Sequence, residues 1–219
     1  MRVIVLGTGT DVGKTYVTAT LARSLAARCS VLALKPIESG VVAGKPGDAD
    51  AIADAALHPP AYSPWRYRAP VSPHLAARMT GASIDVAHVV KWVREQEQAA
   101  SREVTLVELA GGAFSPLAPG VTNVDLALAL GQAAWLLVAP DSLGVLHDVT
   151  ATLRSLPRPP DAVVLSRSRA PDASTGTNAA ELQRLDIAEV LEVLEEGAES
   201  CPATVEWLLA NRKYTSRRI

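Results

Sequence analysis

The residues Arg2-Val3-Ile4-Val5-Leu6 run directly into Gly7-Thr8-Gly9-Thr10-Asp11-Val12-Gly13-Lys14-Thr15. A short apolar run bounded by glycine reads as a buried strand. The residues after Gly13 have helical spacing, with Val17, Leu21 and Leu25 on one stripe of the stretch from Lys14 to Ala27. A glycine-rich turn between a buried strand and a helix points its backbone N–H groups at anionic oxygens, and the missing side chains allow close approach. Five residues separate Gly7 from Gly13, one more than in the commoner phosphate loop. Thr10, Asp11, Val12, Gly13, Lys14, Thr15 and Tyr16 are therefore the expected nucleotide contacts. Lys14 is placed to reach the β- and γ-phosphates, and the Thr15 hydroxyl to ligate Mg²⁺.

Short apolar runs then alternate with helical stretches. The runs are Val3 to Leu6, Ser30 to Leu34, Val104 to Val107, Trp135 to Val138 and Ala162 to Leu165. Strands apolar on both faces are buried between two layers. Helical spacing appears at Lys14 to Ala27, Ile84 to Ala99 with Ser83 as its cap, Val145 to Leu156, and Ala179 to Leu194. This alternation predicts an α/β fold of the P-loop type, a mostly parallel sheet with helices on both faces. The 219 residues suit one domain spanning 1–219.

A second motif, Leu34-Lys35-Pro36-Ile37-Glu38-Ser39-Gly40, closes the second run. In open α/β sheets the carboxyl ends of strands form the ligand crevice, so Lys35 is expected beside the γ-phosphate. Further along stand Asp48-Ala49-Asp50-Ala51, Ser72-Pro73-His74-Leu75-Ala76-Ala77, Val107-Glu108-Leu109-Ala110-Gly111-Gly112 and Leu143-Gly144. In this order the pieces resemble dethiobiotin synthetase, the ring-closing enzyme of biotin synthesis. The likeness runs from the first strand to the fifth. A second lysine near the loop's start, carried by switch ATPases of the partitioning type, is absent.

The resemblance implies a reaction of diaminopelargonic acid, CO₂ (from bicarbonate) and ATP. A carbamate attacks the γ-phosphate, and the neighbouring amine then closes the cyclic urea. It implies Thr15, Asp50 and Glu108 as Mg²⁺ ligands, with Asp48, two residues away, competing with Asp50. It makes Lys14 and Lys35 the cations that bring two anions together, because like charges must approach in that step. Thr10 and Ser39 position the carbamate, and Gly111 and Gly112 line the phosphate side. The family pairs as a homodimer, so Leu143, Gly144, Val145 and Leu146 would offer a helix N-terminus to the substrate carboxylate of the partner subunit.

Four departures bear on this reading. Leu109 replaces a usual glycine and would add bulk beside Glu108. Ala113 stands where a tryptophan is often found and would shrink a substrate wall. His147-Asp148 replaces a usual Asn-His. Ser166 replaces the asparagine that reads adenine. A hydroxyl cannot present an amide's paired donor and acceptor, so base selectivity should relax, with Asn178 a downstream substitute. The alternatives are a switch ATPase of the same superfamily and an inactive paralogue.

The remaining features are plainer. A net charge of −2 argues against a nucleic-acid or anionic-membrane surface. The apolar stretch 133–139 is too short to span a bilayer, and the N-terminus has no export-signal pattern; a cytoplasmic protein is expected. Cys29 and Cys201 match no metal or redox spacing. Trp92 and Trp207 read as helix packing, His74 as a loop residue, Asp186 to Glu195 as a solvated acidic helix face, and Asn211 to Ile219 as a basic tail.

Overall fold

The computed structural model describes residues 1–167 and 170–215. In chain order the elements are β1 (Arg2–Gly7), α1 (Lys14–Ala26), β2 (Val31–Leu34), β3 (Ile37–Ser39), α2 (Asp48–Ala55), β4 (Trp65–Tyr67), α3 (Pro73–Met79), α4 (Val86–Ala100), β5 (Val104–Glu108), β6 (Pro116–Ala118), β7 (Val121–Thr122), α5 (Asn123–Leu130), β8 (Ala134–Asp141), α6 (Val145–Ser155), β9 (Ala162–Arg167), α7 (Asn178–Arg184), β10 (Val190–Leu194) and α8 (Pro202–Thr215). Six strands form one parallel sheet in the order β10-β9-β8-β1-β5-β2, with two small two-stranded sheets, β3-β4 and β6-β7. The predicted α/β class and parallel sheet are found. No helix among the described residues is long and apolar enough to cross a membrane.

Strand alternation divides the core cleanly. Ile4, Leu6, Leu34, Val107, Trp135, Leu137 and Leu165 face one way and meet Val89 and Val93 of α4, Leu126 of α5 and Val149 of α6. Val3, Val5, Ala33, Leu106, Leu136 and Val164 face the other and meet Val17, Leu21 and Leu25 of α1, Ile52 of α2 and Val205 and Leu208 of α8. Both sets are removed from water, at roughly 25 cal/mol per Å² of apolar surface. Trp92 and Trp207 pack against these clusters, as read from the sequence. Cys29 and Cys201 form no disulfide.

Register then fixes what meets at the carboxyl edge. Val5 of β1 lies beside Glu108 of β5, and Leu34 of β2 beside Val107. Lys35, one residue past β2, therefore arrives next to Glu108. Gly7 ends β1 opposite Val138 of β8, so the phosphate loop leaves the sheet between these strands.

The structure corrects three element assignments. His74, read as a loop residue, lies in helix α3. The stretch 179–194 is not one helix. Helix α7 ends at Arg184, Asp186 takes a left-handed φ of 54°, and β10 follows as the sheet's edge strand. Its half-exposed Val-Leu-Glu-Val-Leu pattern imitates an amphipathic helix, because an edge strand buries only part of its surface. Helix α4 starts at Val86, and its cap is Asp85 rather than Ser83. The Asp85 carboxylate accepts from Ala87 N at 2.8 Å and His88 N at 3.4 Å. The tail from Asn211 continues α8 as far as Thr215, and 216–219 lie outside the described residues.

The Asp85 cap satisfies N–H groups that a helix start otherwise leaves open. Asp85→Ala should cost about 1 kcal/mol and lower the melting temperature by about 2–4 °C, measured by thermal unfolding followed by circular dichroism.

Candidate active site

The strand ends open into a cleft of about 1200 Å³. Its walls include Thr10 to Tyr16, Lys35, Ser39, Asp48, Glu108, Gly111 and Ser166. The loop begins at the end of β1 and finishes at Gly13, whose φ is +88°. Two close approaches hold it. A Cβ on Gly13 would lie 2.2 Å from Ser166 Oγ, and one on Gly112 3.1 Å from Gly9 Cα. Glycine is required at Gly13 by the contact and by the left-handed turn, and at Gly112 by the contact.

Lys14 opens α1 and folds back over the loop, donating from Nζ to Gly9 O at 2.9 Å. Burial pushes its ammonium down to about 8, against the opposing pull of Glu108. Lys35 lies deeper. Its Nζ donates to Glu108 Oε1 at 2.7 Å, meets the Asp48 carboxylate and stands 3.5 Å from Thr15 Oγ1. Burial works against its charge, but Glu108 and Asp48 outweigh burial and hold it above the ordinary lysine range. Thr15 Oγ1 donates to Glu108 Oε1 at 2.7 Å. The formal charges of Lys14, Lys35, Asp48 and Glu108 cancel, so anionic phosphate needs further positive charge.

The oxygens suited to a divalent cation are those of Thr15, Glu108 and Asp48. Glu108 is fully buried, and its Oε2 has no hydrogen-bond partner. Leaving such an oxygen unmatched is costly, and a hard cation with oxygen ligands satisfies it. The donor set therefore fits Mg²⁺.

The structure brings most of the expected residues together, and separates some. Asp50 is turned away from this centre. Its carboxylate accepts from Gly47 N at 2.8 Å and from the Tyr62 hydroxyl, and lies 3.7 Å from Arg66. Asp48, the competing residue, holds the position beside Lys35. Successive helical residues turn by about 100°, so positions 48 and 50 cannot both face the cleft. Leu109 does not narrow the site, because its side chain is buried in the core. Ala113 is likewise a core residue. Asn178 donates to Asp141 Oδ1 at 2.8 Å and to Ser174 Oγ at 3.3 Å and is committed there rather than lining the cleft. Leu143, Gly144, Val145 and Leu146 do not line the cleft; Leu143 is 83% exposed. His147 is exposed, and His74 pairs with Ser72 Oγ at 3.1 Å.

Sequence reasoning missed several supporting residues. Asn123 donates to Ala110 O at 2.5 Å and Gly112 O at 2.9 Å, pinning the phosphate-side loop from beneath. The Thr122/Asp125 capping box around it marks a helix start but not this role. Arg167, at the cleft wall, pairs with Glu195 at 2.9 Å and with Asp141 at 3.3 Å. Buried Glu38 pairs with half-buried Arg66 at 2.9 Å.

A strand, a glycine loop ending in Lys-Thr, and a carboxylate at the neighbouring strand's end define a P-loop nucleotide-binding α/β protein. Residues 1–204 match the family described as an AAA domain. A ParA family ATPase from Chlorobium tepidum TLS shares the fold with a TM-score of 0.54 at 14% identity, covering 95% of this chain and 97% of that one. A GTPase from Pyrococcus abyssi in its apo form gives 0.55 at 12% identity, covering 100% and 98%. These two likenesses show the fold alone.

Sequence relatives are more specific. The ATP-dependent dethiobiotin synthetase BioD of Anaeromyxobacter dehalogenans (strain 2CP-C) is 39% identical over 198 residues, 87% of each chain. That of Saccharopolyspora erythraea is 37% identical over 205 residues, 91% of this chain and 89% of its own. That of Caulobacter vibrioides (strain NA1000 / CB15N) is 41% identical over 158 residues, 69% of this chain and 72% of its own. The chain belongs to the dethiobiotin synthetase family.

The Gly13–Ser166 contact is testable. Gly13→Ala should add about 1–2 kcal/mol of left-handed strain and about 1–3 kcal/mol of crowding. In a Ser166→Gly background the crowding should vanish and the strain remain. Urea unfolding of the single and double variants separates the two. Equal losses in both backgrounds would show that Ser166 is not the obstacle.

Proposed function

We propose that the chain is an ATP-dependent dethiobiotin synthase that closes the cyclic urea of dethiobiotin. The observation that carries this is Lys35, held at the strand edge between Glu108 and Asp48 and 3.5 Å from Thr15, beside the phosphate loop. Switch ATPases of the partitioning type carry their second lysine near the start of the loop, whereas Lys35 comes from the end of β2. A reaction that drives one anion onto another needs a cation beside the γ-phosphate.

The steps follow from charge. One amine of diaminopelargonic acid adds to CO₂ and loses a proton, giving a carbamate. A carbamate oxygen attacks the γ-phosphorus, and ADP leaves. The second amine attacks the carbon of the mixed anhydride, phosphate leaves, and a second proton departs as the ring closes. Lys14 holds the γ-phosphate oxygens. Lys35 takes the carbamate oxygen, and Ser39 and Thr10 orient it. Ser39 Oγ is buried without a protein partner, as suits a hydroxyl reserved for substrate. The chain's work is alignment and electrostatics, and no side chain forms a covalent bond.

Thr15, Glu108 and Asp48 would hold Mg²⁺, with Asp48 taking the place that the sequence reading gave to Asp50. When bound, the ion neutralises charge on the transferring phosphoryl group. Lys35, now paired with Glu108 and Asp48, would turn to the carbamate if those carboxylates held the cation. The exposed Leu143 and the start of α6 at Gly144 fit a homodimer in which this helix N-terminus serves the other subunit's substrate. Ser166 offers the base one hydroxyl, and Asn178 is engaged elsewhere, which favours relaxed choice among nucleoside triphosphates.

The test is phosphate release with each nucleoside triphosphate, Mg²⁺, bicarbonate and diaminopelargonic acid. Release should require both the diamine and bicarbonate. Release indifferent to the diamine would mark a switch ATPase, and none at all an inactive paralogue. Lys35→Ala should lower kcat by about 10²–10³, the range for loss of one preorganised charge-stabilising group. Near-normal kcat in that variant would remove Lys35 from the carbamate step.

A further inference from the structure

We propose that Glu38 is a positioning residue for the divalent cation: with Arg66, Tyr62 and Asp50 it latches the N-terminus of α2 so that Asp48 reaches the Lys35–Glu108 centre. This rests on the reading of Asp48 as a metal ligand.

Glu38 lies in the Lys-Pro-Ile-Glu-Ser-Gly motif, yet it does not face the cleft. It is 3% exposed, and a buried carboxylate must have its oxygens matched. Its partners account for both. Oε2 accepts from Arg66 Nε at 2.9 Å, and Arg66 is its cross-strand neighbour in the β3-β4 pair. Oε1 accepts from the backbone N of Asp48 at 2.6 Å, one of the N–H groups that the first turn of α2 leaves open. Glu38 thus does from another strand what a capping side chain does from the helix's own start.

The rest of the latch secures the residues on either side. Asp50 reaches back to Gly47 N at 2.8 Å and is itself held by Tyr62 and Arg66. The Arg66 guanidinium lies 4.1 Å over the Tyr62 ring, which fixes it against both carboxylates. Gly47 admits this arrangement, because a Cβ there would lie 2.4 Å from Glu38 Oε1. The Gly47 and Asp48 N–H groups and the Asp50 carboxylate are committed behind α2, while the Asp48 carboxylate crosses to Lys35. Of the two aspartates, one locks the turn and the other is presented by it.

The test measures metal binding directly. Mn²⁺ binding in the presence of ADP, followed by electron paramagnetic resonance, should weaken about 10–100-fold in Glu38→Ala, the usual loss when a residue orienting a metal ligand is removed. Affinity for ADP in the presence of EDTA should stay unchanged. In an Asp48→Asn background, Glu38→Ala should cause no further loss. Glu38→Gln keeps an acceptor for Asp48 N and should fall between, and it serves if the alanine variant does not fold. Unchanged Mn²⁺ affinity in both Glu38 variants overturns the latch while leaving Asp48 as a ligand. An equal loss from Glu38→Ala with and without the Asp48 carboxylate overturns it too, since Glu38 would then act without that side chain. Full Mn²⁺ affinity in Asp48→Asn alone defeats the metal reading and the latch with it.

Discussion

The buried pairing of Lys35 with Glu108 governs the arrangement of the site. Two parallel strands, β2 and β5, end side by side, and register alone puts an ammonium against a carboxylate in a place nearly closed to water. Removing one member of such a pair costs about 3–5 kcal/mol, because the other is left charged and unmatched. A fold seeking stability alone would do as well with apolar side chains there. Retaining the charges fits the proposed reaction, in which the lysine would leave these carboxylates to a cation and turn to a substrate anion.

That exchange needs a frame that does not move. The sheet supplies it through alternation, each strand sending successive residues to opposite cores. Strand ends buried this firmly can present polar groups at a fixed depth. Departures from the family's usual motif are absorbed by the same frame. Leu109 and Ala113 flank the glycine turn, but their side chains point into the core, so they alter packing beneath the phosphate site and not its shape.

Much of this was legible in the sequence because it is local. The strand–loop–helix signature gave the phosphate site, and doubly apolar runs gave the parallel sheet. Lys35 and Glu108 could be placed because each closes such a run. What could not be read depends on contacts between distant segments. Arg66 has no local mark, and its role appears only when β4 lies beside β3. Asp48 and Asp50 have equal standing in the chain, and only the direction of α2's first turn tells them apart. The edge strand β10 was hidden for a related reason: half-buried on both faces, it carries the same mixture of Val, Leu and Glu that an amphipathic helix would.

The close approach between Glu38 and Gly47 ties two positions nine residues apart in the chain. Glycine is demanded at the second only while a long carboxylate fills the space from the first. A descendant that shortened the side chain at 38 would release 47 to carry one of its own, and the turn would need another anchor. The two sites should drift as a couple across related chains, each permitting or forbidding what the other becomes.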